Sequence, residues 1–144
     1  MNKKGFTLVE LLAIIVVIAI VAVLVSPSVI RLFNKSKEKS YDILINNIKT
    51  AGENYYQECE NGDLTNSSKY GSLACSISNN NINVTLKSLV ELGILKASGN
   101  NKIVINPKNN KDISSCTITV TKVVGANYKT TYTINIPEET CFNN

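Results

Sequence analysis

The sequence predicts an α+β protein: one long N-terminal helix, apolar on every face in its first half and amphipathic in its second, packed on a small antiparallel β-sheet head. Three observations lead there. From Leu11 to Val25 every residue is Leu, Ala, Ile or Val. Beyond Pro27, Tyr41, Leu44, Ile48, Ala51, Tyr55 and Cys59 recur three or four residues apart, the spacing of one helix face. Near the C-terminus, two runs alternate apolar with polar residues on either side of Gly125-Ala126-Asn127, the pattern of a hairpin with one buried face.

The apolar run comes first. With Phe6, Leu8 and Val9 it reaches about 20 residues, interrupted only by Thr7 and Glu10, and at about 1.5 Å per residue it spans about 30 Å of hydrocarbon. A helix apolar all round can also be a core helix, but only inside a larger protein than the remaining sequence supplies. A secretory signal peptide would end in small residues before the cut. Ser26-Pro27-Ser28 is a poor site of that kind, and Glu10 is foreign to the pattern. A carboxylate entering hydrocarbon costs about 2.5 to 3.5 kcal/mol. Glu10 is therefore expected either to stay hydrated among headgroups or to pair with a positive group from another chain.

Composition narrows the function. The 144 residues have room for one ordinary domain plus an appendage. Fifteen Lys and Arg against eleven Asp and Glu leave a net charge of +4, too dispersed to indicate a nucleic-acid binder by itself. Histidine is absent, which removes the commonest general base and zinc ligand. No nucleophile and base pair, phosphate loop or metal motif takes its place, so no enzyme is expected and no cofactor.

The segment Lys3-Lys4-Gly5-Phe6-Thr7-Leu8-Val9-Glu10-Leu11-Leu12, followed by the apolar run, resembles the N-terminus of type IV prepilins and pseudopilins. The resemblance covers about the first thirty residues. It combines a basic leader ending in Gly, an aromatic residue after it, Glu as the fifth residue beyond Gly5, and Pro27 further along the helix. It implies a leader over residues 1–5, cleavage between Gly5 and Phe6 by prepilin peptidase, and N-methylation of Phe6. Residues 6–29 would form a transmembrane and assembly helix, and residues 30–144 a pilin head that includes the amphipathic half of the helix. It further implies that Glu10 neutralises the N-terminal amine of a neighbouring subunit. At about 4 Å and an effective dielectric near 20, that attraction is about 4 kcal/mol, comparable to the desolvation it must offset, so the pair sets register more than it adds stability.

Two features depart from a simple picture. Lys3 and Lys4 precede the run, but Arg31, Lys35, Lys37 and Lys39 follow it, so charge counting alone gives no orientation; the leader and the cysteines place the head outside. Many pilins also carry a Gly within the run. This one has none, so any weakening of the helix centres on Pro27, which lacks an N–H and crowds the preceding turn.

A continuous helix from Phe6 to about Cys59 would be about 80 Å long. Glu60-Asn61-Gly62-Asp63 ends it, and Thr65 to Asn83, rich in Ser and Asn, reads as a surface loop. Asn66-Ser67-Ser68 and Asn83-Val84-Thr85 fit the N-glycosylation pattern, as such loops often do. Thr85 caps a short helix carrying Leu86, Leu89 and Val90, stopped by Gly93. Lys102 to Ile105, before Pro107, reads as a short strand. Folding the C-terminal hairpin about residues 125–127 sets Ile118 opposite Ile134 and Val120 opposite Tyr132.

Cys59, Cys75, Cys116 and Cys141 all lie beyond the apolar run. None is closely paired in the C-x-x-C manner of zinc sites, and two disulfides outside the cell fit better than reduced thiols in a cytosolic head. Four cysteines allow three connectivities. Cys59 with Cys75 would close the loop after the long helix. Cys116 with Cys141 would tie the tail to the sheet, resembling the stapled C-terminal loop of many pilins.

The expected function is structural: a subunit of a type IV pilus or related filament, held first in the cytoplasmic membrane and then in an extracellular fibre. The resemblance implies copies of itself and other pilins, prepilin peptidase and a pilus assembly platform as partners. A pseudopilin of a type II secretion or competence system is the nearest alternative; a competence pilin would contact DNA, with Lys87, Lys96, Lys102, Lys108, Lys111, Lys122 and Lys129 available, although scattered lysines are more often only solvated. A single-pass membrane-anchored binding module, neither cleaved nor assembled, is the alternative of a different class.

Overall fold

The computed structural model describes residues 5–66, 70–98 and 102–142, without the side chains of residues 24–26 and 72. Lys3 and Lys4 of the leader, and Ser67 and Ser68 of one glycosylation pattern, lie outside the described residues. The chain is an α+β protein of pilin-like architecture: helix α1 (Leu8–Glu60) is followed by a three-stranded antiparallel sheet. It divides into two compact units, one up to Lys39 and the other from Ser40 onward.

In the first unit, every described side chain of α1 from Leu8 to Val23 is exposed. Pro27 lies inside α1, and the pieces Leu8–Val23 and Pro27–Glu60 are bent by 46° at the break between them. Among the described residues no single helix is long and apolar enough to cross a membrane; the two pieces taken together meet the length and composition of a bent span. The reason is length, since Leu8–Val23 alone covers about 24 Å.

The second unit builds its core on the rest of α1. Ile48, Ala51, Tyr55, Tyr56 and Cys59 are buried, and Tyr41 and Leu44 half-buried, so the stripe read from spacing is the packed face. The helix stops at a Schellman motif: Gly62 takes a left-handed backbone (φ +87°), its N–H donates to the Cys59 carbonyl, and the Asp63 N–H donates to Glu58. The Cys59–Cys75 disulfide, with Cα atoms 6.0 Å apart, closes the segment that follows.

The stretch Thr65 to Asn83, expected as a surface loop, is not all loop. Strand β1 (Asn81–Thr85) begins within it and pairs antiparallel with β2 (Thr117–Val124), with Ile82 opposite Val120 and Val84 opposite Ile118. The Asn-rich composition conceals a period-two pattern in which Ile82 and Val84 point inward. Helix α2 (Leu86–Glu91) follows at once, with the Thr85 hydroxyl accepting from the Ser88 N–H at 3.1 Å. A second Schellman motif at Gly93 (φ +78°) ends it, through Gly93 to Val90 and Ile94 to Leu89.

The strand expected over Lys102–Ile105 is reduced to two isolated bridges, Ser98 with Ile103 and Ile105 with Asp112. Its residues face two different partners, and Lys102 itself adopts a left-handed backbone (φ +53°), so no ladder can extend. Val104 is nonetheless buried; its N–H donates to the Ser114 hydroxyl, which in turn donates to Asp112.

Strand β3 (Thr130–Asn135) completes the sheet in the order β1-β2-β3. Its register differs by two residues from the expected one: Val120 faces Ile134 and Lys122 faces Tyr132. The turn is centred one residue later than composition suggests. Gly125 and Lys129 close it, the Tyr128 N–H donates to the Gly125 carbonyl, and Tyr128, not a glycine, holds the left-handed position (φ +57°). A shift of two preserves which faces are buried. After Pro137, the short helix α3 (Glu138–Cys141) brings Cys141 to Cys116, with Cα atoms 5.3 Å apart. Buried Phe142 meets Tyr41 edge-on with centroids 5.3 Å apart, and its carbonyl accepts from Asn109.

Helix and sheet approach closely at Gly52, where an added Cβ would lie 3.1 Å from Val120 and 3.2 Å from Ile118. Gly52→Leu is expected to destabilise the protein by about 1 to 3 kcal/mol through overpacking. Gly52→Ala, which gains about 1 kcal/mol of helix propensity against the same contact, should stay within about 1 kcal/mol of wild type. Thermal unfolding of the detergent-solubilised chain measures both. Hydrogen bonds from the Ser114 hydroxyl and N–H hold the Asp112 carboxyl below the usual carboxylate range. The stabilisation this gives is complete above the unfolded value, near about 4, and is lost as pH falls through the folded one. The melting-temperature gap between wild type and Asp112→Asn should therefore narrow as pH falls below the unfolded value, about 4.

Candidate processing and assembly site

The candidate site is the entry to α1. Gly5, Phe6 and Thr7 precede the first helical residue, Leu8. A Cβ on Gly5 would meet nothing within 4 Å, and Phe6 is 80% exposed. Both flank an accessible peptide bond.

Thr7 and Glu10 form a reciprocal capping box. The Thr7 hydroxyl accepts from the Glu10 N–H at 3.3 Å, while Glu10 Oε2 accepts from the Thr7 N–H and from the Thr7 hydroxyl, each at 2.9 Å. Two of the backbone N–H groups that a helix start leaves unpaired are thus satisfied, and the negative charge sits at the positive end of the helix dipole. Both side-chain bonds fall on Oε2. Oε1 takes part in neither, so the carboxylate can accept a further donor without breaking the cap. Thr7 is the residue that charge and hydropathy counting passed over; the signal was present as Thr-x-x-Glu directly before an apolar run.

The other residues singled out from the sequence lie elsewhere. Pro27 is in the first unit, and the four cysteines form two bonds in the second. Asn83 of the second glycosylation pattern stands on β1, where its side-chain oxygen accepts from the Thr119 hydroxyl at 2.7 Å. Three of the lysines considered for DNA contact are already engaged. Lys87 pairs with Glu91 at 3.9 Å, and Lys108 lies 3.7 Å over the Tyr41 ring. Lys122 binds Glu60, which raises its ammonium above the usual value.

Among the described residues no group of three His, Cys, Asp or Glu side chains is placed to hold a metal ion. A cavity of about 350 Å³ beside the Cys116–Cys141 bond is lined by Asp112, Ser115, Pro137 and Thr140. Its one carboxylate, Asp112, accepts through Oδ1 from the Ser114 N–H and hydroxyl. The arrangement with chemical meaning is therefore the accessible Gly5-Phe6 link, followed by a capped carboxylate at the head of an exposed apolar helix.

No curated protein and no solved structure matches the chain. Residues 1–26 match the family described as the prokaryotic N-terminal methylation motif. The chain thus carries at its N-terminus the signature of type IV pilins and pseudopilins, structural proteins that are substrates of prepilin peptidase.

Proposed function

We propose that this protein is a structural, non-enzymatic subunit of a type IV pilus or a related filament. The observation that carries the proposal is the methylation motif over residues 1–26, which takes in the start of α1, where the described side chains from Leu8 to Val23 are all exposed. So much exposed apolar surface, on every face of the helix, needs lipid or other protein to cover it.

In this reading, prepilin peptidase removes residues 1–5 on the cytoplasmic face, and the new amine of Phe6 is methylated. Residues 6–29, bent near Pro27, hold the subunit in the cytoplasmic membrane, with the head of residues 30–144 outside. An assembly platform then transfers the helix from lipid into a bundle of its own copies and other pilins. Glu10 keeps its cap through Oε2 and offers Oε1 to the Phe6 amine of a neighbour, which fixes the axial register of the stack. The two disulfides add about 2 to 4 kcal/mol each by restricting the unfolded chain, a benefit to a fibre under shear.

Intact mass tests the processing step. In cells with active prepilin peptidase the chain should lack residues 1–5 and carry one methyl group on Phe6, and a form retaining Met1 to Gly5 would favour an uncleaved membrane-anchored module. For assembly, Glu10→Ala should leave the subunit membrane-inserted but reduce its recovery in sheared filaments at least about tenfold, from the loss of one charge-assisted contact per interface. Unchanged recovery would remove the role given to the carboxylate.

A further inference from the structure

The structure leaves a second group of charges unexplained. Directly beyond Pro27, α1 carries Arg31, Lys35, Lys37 and Lys39, all exposed, and among the described residues none of them forms an ion pair. The one acid among them is Glu38, so the stretch has a local excess of three positive charges. Arg31, Lys35 and Lys39 follow one another four residues apart and share a helix face; Glu38 lies at its edge and Lys37 on the far side. Ile30, Leu32 and Phe33 are 60%, 69% and 65% exposed in the same stretch, apolar surface that continues the membrane-facing run.

We propose that this band binds the phosphates of anionic phospholipids in the leaflet from which α1 emerges. The inference rests on the reading that residues 6–29 span the membrane. If the hydrocarbon ends near Ser28, Arg31 stands about 4 to 5 Å beyond it and Lys35 about 10 Å beyond, at the depth of the headgroups. Lys39, about 16 Å beyond, remains within about one Debye length of the headgroup surface. Their aliphatic stems can lie along the apolar surface of Ile30, Leu32 and Phe33 while the cationic ends reach phosphate oxygens. Cations that oppose orientation by charge counting acquire a use here: they fix the depth of the unassembled subunit and hold it at the surface until assembly replaces lipid with protein.

The test uses the mature full-length chain in vesicles of phosphatidylcholine, with and without phosphatidylglycerol. Flotation reports insertion, and spin-labelled lipids report which headgroup is retained beside the protein. We expect about a fivefold preference for phosphatidylglycerol, the size of one basic contact at a membrane surface, fading by about 0.5 M salt. The variant Arg31→Gln/Lys35→Gln/Lys39→Gln should float as wild type does and lose the preference. A wild-type chain that floats without preference, or a triple variant that keeps it, overturns this proposal alone. A chain that floats with neither composition overturns the spanning reading and this proposal with it.

Discussion

The constraint on which everything else depends is the need to cover an apolar helix surface whose described side chains are exposed. From Leu8 to Val23 the side chains of α1 are exposed, and the second unit completes its core with other residues. Burial is worth about 25 cal/mol per Å² of apolar surface, so leaving such a helix in water is costly, and the proposed function supplies two coverings, lipid and the helices of other subunits. A subunit able to use both can be stored in one and built into the other. Within this scheme the single carboxylate near the start of the run costs little, because its own Thr7 satisfies it before any neighbour arrives.

The head meets the opposite demand. Its core is closed by the amphipathic part of α1, by the inner residues Ile82, Val84, Ile118 and Val120 of the sheet, and by buried Phe142 at the tail. Disulfides fasten the segment after α1 and the C-terminal tail. The consequence is a core that uses α1 only from Tyr41 onward and includes none of the residues from Leu8 to Val23.

Legibility in the sequence followed the strength of local periodicity. The apolar run, the stripe from Tyr41 to Cys59 and both helix stops at Gly62 and Gly93 are local patterns, and they appear where spacing and turn chemistry put them. Strand β1 was hidden because its two inward residues, Ile82 and Val84, sit among asparagines, and only pairing with β2 shows the alternation to matter. The hairpin register failed for a related reason. Composition favours glycine at a left-handed turn position, yet Tyr128 occupies it, a choice settled by pairing along the whole ladder. The bridges at Ile103 and Ile105 face two different partners, which no single run of residues could reveal. At the site, Gly5, Phe6 and Glu10 were readable from the motif, while the role of Thr7 required seeing that both ends of the capping box close on each other.

The most direct test of the account is a cryo-electron microscopy map of filaments sheared from cells that express this protein. The account requires residues Leu8–Val23 along the filament axis, each helix packed against those of other copies, with the heads outside. It would be contradicted by filaments that display this helix on their surface. A chain recovered instead as a monomer in detergent-free buffer, with its apolar run folded against the head, would contradict it equally.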